Sequence, residues 1–230
     1  MISQFRTWAV LALVMSCSIP LVAQEAEWVE TNSWQGVGSQ QTAIFFVTAA
    51  KWRVIYRPKG KGPFAVELNR ESGHDPVPVT DQKGGSVLSG RRNFTGAGRH
   101  YLDIQTEQAE WQLVVEQLLT PVQQWQLVQL TKQDVPTLSR IATWTGAEGD
   151  EEFEVRIPRG SWKLFVNVIG EGQADATVSL VGADRDSPVL HLAQLAAGDR
   201  GTWIHQSGVS RVRLHAGENC EWKLDVCTAK

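Results

Sequence analysis

The 230-residue chain has few of the residues that mark cross-linked, fibrous or nucleic-acid-binding proteins. Three cysteines are too few for a disulfide-stabilised miniprotein, and 20 glycines and nine prolines are too few for a collagen-like or disordered chain. Neither charge sign dominates, because 22 lysines and arginines oppose 25 aspartates and glutamates. Such a chain has no global field that attracts a polyanion, so we expect no nucleic-acid partner.

Long hydrophobic runs are also scarce, and the most notable one lies near the N-terminus. Residues 1–23 contain one cation, Arg6, followed by a short apolar segment, small residues and a cleavage site after Ala23, which is the order of a secretory signal peptide. The segment from Val14 to Cys17 also resembles a bacterial lipobox, which predicts a lipid anchor at Cys17 as the alternative. No later run reaches the roughly 18 apolar residues of a transmembrane helix. We therefore expect an exported protein, periplasmic, cell-surface or extracellular, without a transmembrane span in its mature part.

The mature part would keep only Cys220 and Cys227. Between them, apolar and polar residues alternate around Trp222, Leu224 and Val226, as in a β-strand. Seven extended residues span roughly 23 Å, whereas a disulfide needs Cα atoms less than about 7 Å apart. We expect no intrachain disulfide and, since no second Cys or His pair has the right spacing, no metal or other cofactor.

A weak internal repeat is the most informative feature of the sequence. Adding 110 to the residue number matches mainly Trp, Gly and Pro residues, whose structural roles are the most specific. The pairs are Trp34 and Trp144, Gly36 and Gly146, Trp52 and Trp162, Gly60 and Gly170, Gly62 and Gly172, Pro78 and Pro188, Gly98 and Gly208, and, after one inserted residue, Trp111 and Trp222. The sequence thus predicts two copies of one domain.

The pattern within each copy favours an all-β fold. Phe153, Val155 and Ile157 alternate with charged residues, the period of a strand with one buried face. Each copy contains about seven or eight such strands, and no helical period is clear. We predict two tandem antiparallel β-sandwiches, jelly-roll-like, over residues 24–116 and 137–230.

The predicted linker, residues 117–136, contains Trp125 and Leu127 and is too apolar for a free tether. Its pattern fits a strand or a short helix equally, and we expect it to pack against one domain. The first copy has a strand that is apolar on both faces, so Ile44 and Phe46 need a cover. The linker, the second domain or an external partner could supply it.

Ten tryptophans suggest carbohydrate binding, because aromatic rings stack on sugars. Most are better explained as core residues: six form the three repeat pairs, and Trp28 aligns with Leu138. Trp125 and Trp203 have no such partner and are candidate ligand contacts.

Trp203 is followed by Ile204, which aligns with Phe94. If both of those residues point inward, Trp203 and His205 point outward on the same strand and form a candidate binding feature. In the alternatives, an arginine across a Gly208 hairpin covers the indole, or the first domain buries it. The two candidate arginines are Arg211 and Arg213.

A basic strand in the first copy is the second candidate contact surface. Its cations alternate with Trp52 and Val54, which places Arg53 and Arg57 on the outer face, where an anionic envelope polymer could bind. The alternative is an edge strand protected by its charges. The cations are Lys51, Arg53, Arg57, Lys59 and Lys61.

Other ionisable residues lack the spacing of a known site. The acidic groups do not match a calcium loop, so we expect solvated loops. No histidine lies in a local catalytic signature, so we expect no enzyme. The acids are Glu148, Asp150, Glu151, Glu152, Asp184 and Asp186; the histidines are His74, His100, His191, His205 and His215.

The order of these elements, with Trp-x-Gly, a Phe-rich strand, a Trp strand, Gly-x-Gly, a Gly turn and a closing Trp strand, resembles accessory β-sandwiches of secreted bacterial proteins. Bacterial pre-peptidase C-terminal domains and CUB-like modules are the nearest comparisons, and the resemblance covers most of the mature chain as a pattern. It implies a non-catalytic module for secretion, surface attachment or ligand contact. This chain differs because no catalytic domain accompanies the two copies.

Three functional hypotheses follow. The first is an exported, non-catalytic tandem β-sandwich that binds a glycan or protein of the envelope or extracellular space. The second is a structural envelope component without a small ligand, and the third is a hydrolase of unknown type.

Overall fold

The computed structural model describes residues 25–60, 62–73, 75–80, 88–106, 110–133, 135–181, 190–195 and 197–229. Among these residues, no helix is long and apolar enough to cross a membrane. Several predictions fall outside the described residues: the signal peptide, the anchor at Cys17, and those that involve Lys61, His74, Asp184, Asp186 and Pro188.

Strands account for most of the described chain. The first half contains β1 (Glu27–Val37), β2 (Gln40–Gln41), β3 (Phe45–Val47), β4 (Lys51–Lys59), β5 (Phe64–Arg70), β6 (Val77–Pro78), β7 (Gly90–Thr95), β8 (Gly98–Thr106) and β9 (Glu110–Leu119). One helix, α1 (Pro121–Gln133), follows. The second half contains β10 (Leu138–Gly146), β11 (Gly149–Ile157), β12 (Trp162–Gly170), β13 (Ala174–Leu180), β14 (Leu190–Leu195), β15 (Gly198–Ile204), β16 (Gly208–Ala216) and β17 (Cys220–Ala229).

Each half is a sandwich of two antiparallel sheets, and the strand order is the same in both halves. In the first sandwich, β1-β9-β4-β7 faces β2-β8-β5-β6, with β3 also paired to β8. In the second, β10-β17-β12-β15 faces β11-β16-β13-β14. Most consecutive strands lie in opposite sheets, as in a jelly roll. The all-β sandwich fold is therefore confirmed, and the shared strand order agrees with the proposed repeat, which itself stays a prediction.

The prediction of a hairpin at Gly208 is wrong. Gly208 begins β16, which pairs with β11 and β13, whereas the preceding strand β15 pairs with β12. The chain therefore crosses from one sheet to the other at Gly208. A sheet crossing and a hairpin leave the same alternation in the sequence, so the local pattern does not distinguish them.

Trp52 and Trp162 occupy equivalent places in two separate cores. They are 1% and 0% exposed, respectively. Each indole N–H donates to a backbone carbonyl at 3.1 Å, from Trp52 to Gly96 and from Trp162 to Gln206. Both carbonyls follow the neighbouring edge strand, so burial of each ring leaves no unpaired donor.

The Trp-x-Gly pattern has a steric cause. The Trp111 ring lies against Gly36, and a Cβ added to Gly36 would approach Trp111 Cζ2 to 2.5 Å. Trp222 lies against Gly146 in the same way. Only glycine allows this close approach of the first strand to the ring on the last strand.

The prediction that Trp28 is a core residue is wrong, since 40% of it is exposed. The Arg53 guanidinium lies 4.1 Å from its ring centroid on the outer face of the sheet. A β-bulge between Glu30 and Asn32 reverses which residues of β1 point inward. Trp34, beyond the bulge, packs against the core, whereas Trp28 points outward.

The linker forms helix α1, and β9 continues to Leu119, past the boundary predicted at residue 116. The Thr120 backbone N–H donates to Gln123 Oε1 at 2.9 Å, and the Gln123 N–H donates to Thr120 Oγ1 at 3.4 Å. This is a capping box, and Pro121 occupies the first helical position, where its missing N–H is harmless.

Helix α1 packs on the first sandwich through Leu127, which is buried with Ala49 and Leu119. Phe46 lies against the same small cluster. The linker therefore supplies the cover that the apolar outer face of the first domain requires at Phe46.

Candidate functional site

Each sandwich has one side bounded by the last strands of both of its sheets. This is the β6/β7 side in the first sandwich and the β14/β15 side in the second, and the two sides occupy equivalent places in the strand orders. On the β14/β15 side, the second sandwich contacts β2 of the first. We call this contact the junction.

Backbone and ring contacts hold β2 at the junction. The Gln41 backbone N–H donates to Thr202 Oγ1 at 3.1 Å. The Tyr101 and His205 ring centroids lie 4.1 Å apart. Gln41 and Thr202 are both buried, and their hydrogen bond satisfies the Gln41 backbone N–H, whereas Gln41 Oε1 has no hydrogen-bond partner among the described residues.

His205 connects the two sandwiches through its Nε2, while its Nδ1 forms a hydrogen bond within the second sandwich. Its Nε2 lies 2.8 Å from the Thr42 carbonyl oxygen, which can only accept, so Nε2 carries the proton. Its Nδ1 then accepts from the Ser161 hydroxyl at 2.7 Å. Burial lowers the pKa of His205 to about 4, against a smaller raising effect of the Thr42 carbonyl. His205 is therefore neutral at physiological pH.

The Ser161 and His205 pair lacks the arrangement of a catalytic dyad with its orienting acid. The second partner of the ring is the Thr42 carbonyl of the first domain rather than a carboxylate. His205 points outward from its strand as predicted but is half-buried against Thr42 and Tyr101 of the first sandwich, and its role in ligand binding stays a prediction.

Trp203 has the predicted strand phase. Thr202 and Ile204 are each 1% exposed and point inward, so Trp203 points outward, where it is half-buried. The cation beside its ring is Lys163 of the neighbouring strand β12, with Nζ 5.7 Å from the ring centroid. The predicted cover by Arg211 or Arg213 is wrong, because those arginines lie in the opposite sheet.

The other three predicted contact residues lie apart from Trp203 and from one another. Arg53 forms an ion pair with Glu116. Arg57 Nη1 donates to Gln112 Oε1 at 3.2 Å on the exposed outer face of β4. Trp125 lies on α1 and is 66% exposed. The structure thus does not bring the five predicted residues into one site.

The β6/β7 side of the first sandwich contains a cleft of about 860 Å³. Trp52 and Phe94 stack at its floor, with ring centroids 4.7 Å apart. Among the described residues, the charged side chains that line it are three cations and one carboxylate, and they come from segments far apart in sequence. They are Lys51, Arg70, Arg92 and Asp75. A cleft with apolar walls and an excess of positively charged side chains focuses a positive electrostatic potential, which favours binding of an anion.

His100 is the most unusual residue of the cleft lining. It is 2% exposed, and neither ring nitrogen has a hydrogen-bond partner among the described residues. Burial and, less strongly, the nearby Arg70 charge lower its pKa, while the Asn69 backbone has a smaller raising effect. Buried, unpaired ring nitrogens cost free energy until an incoming group satisfies them.

Sequence reasoning missed the cleft because its residues come from β4, β5, β7 and β8. The predicted repeat contains a signal, since Arg70, Arg92 and His100 align there with Leu180, Thr202 and Ser210, which do not ionise. Two cations and a histidine that occur in one predicted copy alone are not required by the strand order that both halves share. Among the described residues, no group of three or more His, Cys, Asp or Glu side chains could hold a metal ion.

No family model and no curated protein matches this chain. A conserved protein of unknown function from Pseudomonas aeruginosa is 14% identical over 86% of this chain and 78% of its own, with a TM-score of 0.27. A cupin 2 conserved barrel domain protein from Leptotrichia buccalis is 13% identical over 91% and 92%, with a TM-score of 0.23. The tandem CBM22 domains of Paenibacillus barcinonensis Xyn10C are 9% identical over 89% and 95%, with a TM-score of 0.23. These scores assign no family or function, and the class that the coordinates define is an all-β protein of two jelly-roll sandwiches.

Proposed function

We propose that this chain is an exported, non-catalytic tandem β-sandwich whose first domain binds an acidic, extended segment of an envelope or extracellular protein. The junction is the observation that supports this most directly. The β14/β15 side of the second sandwich already takes an extended segment, β2 with Thr42, at the place where the first sandwich has its cleft. An extended protein segment therefore suits this kind of surface.

The charge of the cleft supports an acidic ligand. In the repeat, Ser161, Leu180 and Thr202 of the second sandwich stand at the positions of three cleft cations of the first. The neutral side holds a neutral segment that contains Gln41 and Thr42. The corresponding cations are Lys51, Arg70 and Arg92. A cationic side with the same backbone favours a segment that carries carboxylates.

Backbone and aromatic groups favour a protein segment over a glycan. Strand β7 is the last strand of its sheet, so its outer edge can hydrogen-bond an added strand. Trp52, the large ring on the cleft floor, is 1% exposed and offers no face for a sugar to stack on. Of the rings lining the cleft, Trp28 at the rim is the one with substantial exposure, at 40%.

Two further parts of the proposal have separate support. Export rests on the signal-peptide pattern of residues 1–23. The absence of catalysis is supported by the second partner of the His205 ring, which is the Thr42 carbonyl and not an orienting carboxylate.

Peptide binding to the full mature chain tests the proposal. The probes are labelled ten-residue peptides in which Val alternates with Glu or with Lys, and the competitor is polygalacturonate, an acidic polysaccharide. We expect the Glu peptide alone to bind, with affinity that falls as salt is raised. The double variant Lys51→Glu with Arg70→Glu should weaken binding by about tenfold or more, equivalent to about 1.4 kcal/mol.

Arg57→Glu is the matched control, since it reverses a cation of the same domain outside the cleft. It should leave peptide affinity unchanged. Absence of peptide binding, or an equal loss in the control, would overturn the proposal. Cleft-dependent binding of polygalacturonate without peptide binding would replace it with the glycan hypothesis.

A further inference from the structure

We infer that the segment bound in the cleft is strand β11 of a second copy of this chain, so that the protein associates head to tail. This rests on the proposed function, since it names the acidic segment that the cleft takes. In this arrangement, the contact that joins the two sandwiches within a chain recurs between chains, with charged groups in place of neutral ones.

The strand register identifies which residues of the second sandwich take the place of β2. Strand β2 enters the junction through Gln40 and Gln41, which pair with two residues of β8. The equivalent positions of β16 pair with Glu151 and Glu152 of β11. Two glutamates therefore stand where two glutamines stand in the first sandwich.

Strand β11 is accessible to a partner. It is the first strand in the order β11-β16-β13-β14, so within the described chain its second edge pairs with no strand. Glu151 and Glu152 are exposed, whereas Gln41 is buried in the junction. An accessible edge strand is a common place for another chain to add.

The β11 edge still carries acidic side chains that form no ion pair with the described residues of its own chain. Glu152 pairs with Arg211 and Arg213, and Asp150 lies against His215. Glu148 and Glu151 are exposed and have no ion pair with a described residue. Carboxylates thus remain at the end of β11 that corresponds to β2.

The cleft of the first sandwich and the β11 edge of the second carry opposite charges. Each differs from the equivalent surface of the other sandwich, which is neutral. Within the chain, the Gln41 N–H donates to Thr202 and the Thr42 carbonyl accepts from His205, and all four residues are uncharged. Between chains, Glu151 and its neighbours would meet the cleft cations. Opposite charges attract the correct pair, while a charge against a neutral, desolvated surface disfavours the wrong one.

The contact uses two different surfaces, so it is heterologous rather than a symmetric dimer contact. Every chain keeps one unused cleft or one unused β11 edge after the first contact. Such association continues into a ring or a filament, according to whether the rotation closes.

Sedimentation velocity of the full mature chain tests this inference. The cleft variant carries Lys51→Ser and Arg70→Leu, which are the residues of the neutral copy. The edge variant carries Glu148→Gln and Glu151→Gln. We expect the unmodified chain to form species larger than a dimer at about 50 mM salt and to dissociate as the Debye length falls at about 500 mM.

Each variant alone should need at least about tenfold higher concentration to associate, a loss of about 1.4 kcal/mol. An equimolar mixture of the two should stop at a dimer, because one chain supplies the intact edge and the other the intact cleft. Matched controls are Arg57→Ser in the first domain and Glu171→Gln in the second, which should associate like the unmodified chain. Far-UV circular dichroism of every variant checks folding.

A monomeric unmodified chain at low salt would overturn the inference, as would variants that associate normally or a mixture that grows beyond a dimer. These failures are distinct from failure of the proposed function. If the chain stays monomeric yet binds the Glu peptide in the cleft, the partner is a different acidic protein.

Discussion

Tryptophans on neighbouring strands of this protein differ in structural role according to the face on which each lies. Trp52 and Trp162 are fully buried in separate cores, so replacing either with Ala should cost about 3–5 kcal/mol. That is close to the whole stability of a small domain. We expect each variant to lose its own sandwich and keep the other, which calorimetry would show as the disappearance of one of two transitions.

Trp203→Ala is the comparison for these core variants. Trp203 is half-buried beside Lys163, so its removal leaves no enclosed cavity and should lower stability less than Trp162→Ala in the same domain. Unfolding of the second sandwich by Trp203→Ala would contradict the outward strand phase. Loss of both transitions in either core variant would show that the sandwiches unfold as one unit.

At the scale of elements, helix α1 belongs to the first sandwich. Leu127 is 6% exposed and packs on Leu119 and Ala49, so Leu127→Ala should lower the stability of that sandwich by about 2 kcal/mol. The matched control is Val128→Ala, one residue further along the helix, where 46% of the side chain is exposed. Thermal unfolding should show a shift in the first sandwich's transition only.

Equal shifts in the two helix variants would mean that α1 does not pack as described. A shift in the second sandwich's transition would instead place the helix in the junction. The helix start was readable from the sequence, because Thr120, Pro121 and Gln123 form a capping pattern. The apolar residues after it fit a strand equally well, so their spacing alone left the choice open.

At the scale of the whole molecule, two titratable groups next to the junction respond to pH in opposite directions. His205 lies between the domains, and its burial there lowers its pKa from 6.5 to about 4. Burial and, less strongly, the charge of Glu67 raise the pKa of Asp103 from 3.8 to about 6, although the Gln41 amide donates a hydrogen bond to it.

The signs follow from which state binds more protons. Between pH 4 and 6.5 the unfolded chain protonates His205 while the folded protein does not, so this group makes stability rise with pH. Between pH 3.8 and 6 the folded protein holds a proton on Asp103 that the unfolded chain has lost, so this group makes stability fall with pH. Because the two pH ranges overlap, the effects of His205 and Asp103 on the pH dependence of stability largely offset each other.

Asp103→Asn should therefore expose the contribution of His205, to which His100 adds in the same direction because burial lowers its pKa as well. We expect unfolding free energy, measured by urea titration, to rise between pH 4 and 6 with a slope of up to about 1.4 kcal/mol per pH unit. The slope of the unmodified chain should be much smaller. His191→Gln removes an exposed histidine of β14 that has no described hydrogen bond across the junction, and it serves as the control, with a slope like that of the unmodified chain. A flat profile in Asp103→Asn would contradict the burial of His205 between the domains.

The features that the sequence predicts correctly are those that follow from local alternation of apolar and polar residues. The two-residue period predicts the strands and the inward Trp52 and Trp162, because a strand turns successive side chains to opposite faces wherever it lies. The same reasoning places Cys220 and Cys227 at separate positions along one strand, where both are free thiols.

Long-range packing fixes which strands cross between sheets, which face of β1 the bulge reverses, and what contacts His205. It also fixes where the cleft lies, because Arg70, Arg92 and His100 come from three strands whose sequence separation carries no signal of contact. Strand pairing and domain docking are long-range, and a residue that points outward from its own strand meets either solvent or another domain. Alternation cannot distinguish these two outcomes, so the role of His205 emerged only once the two sandwiches were placed together.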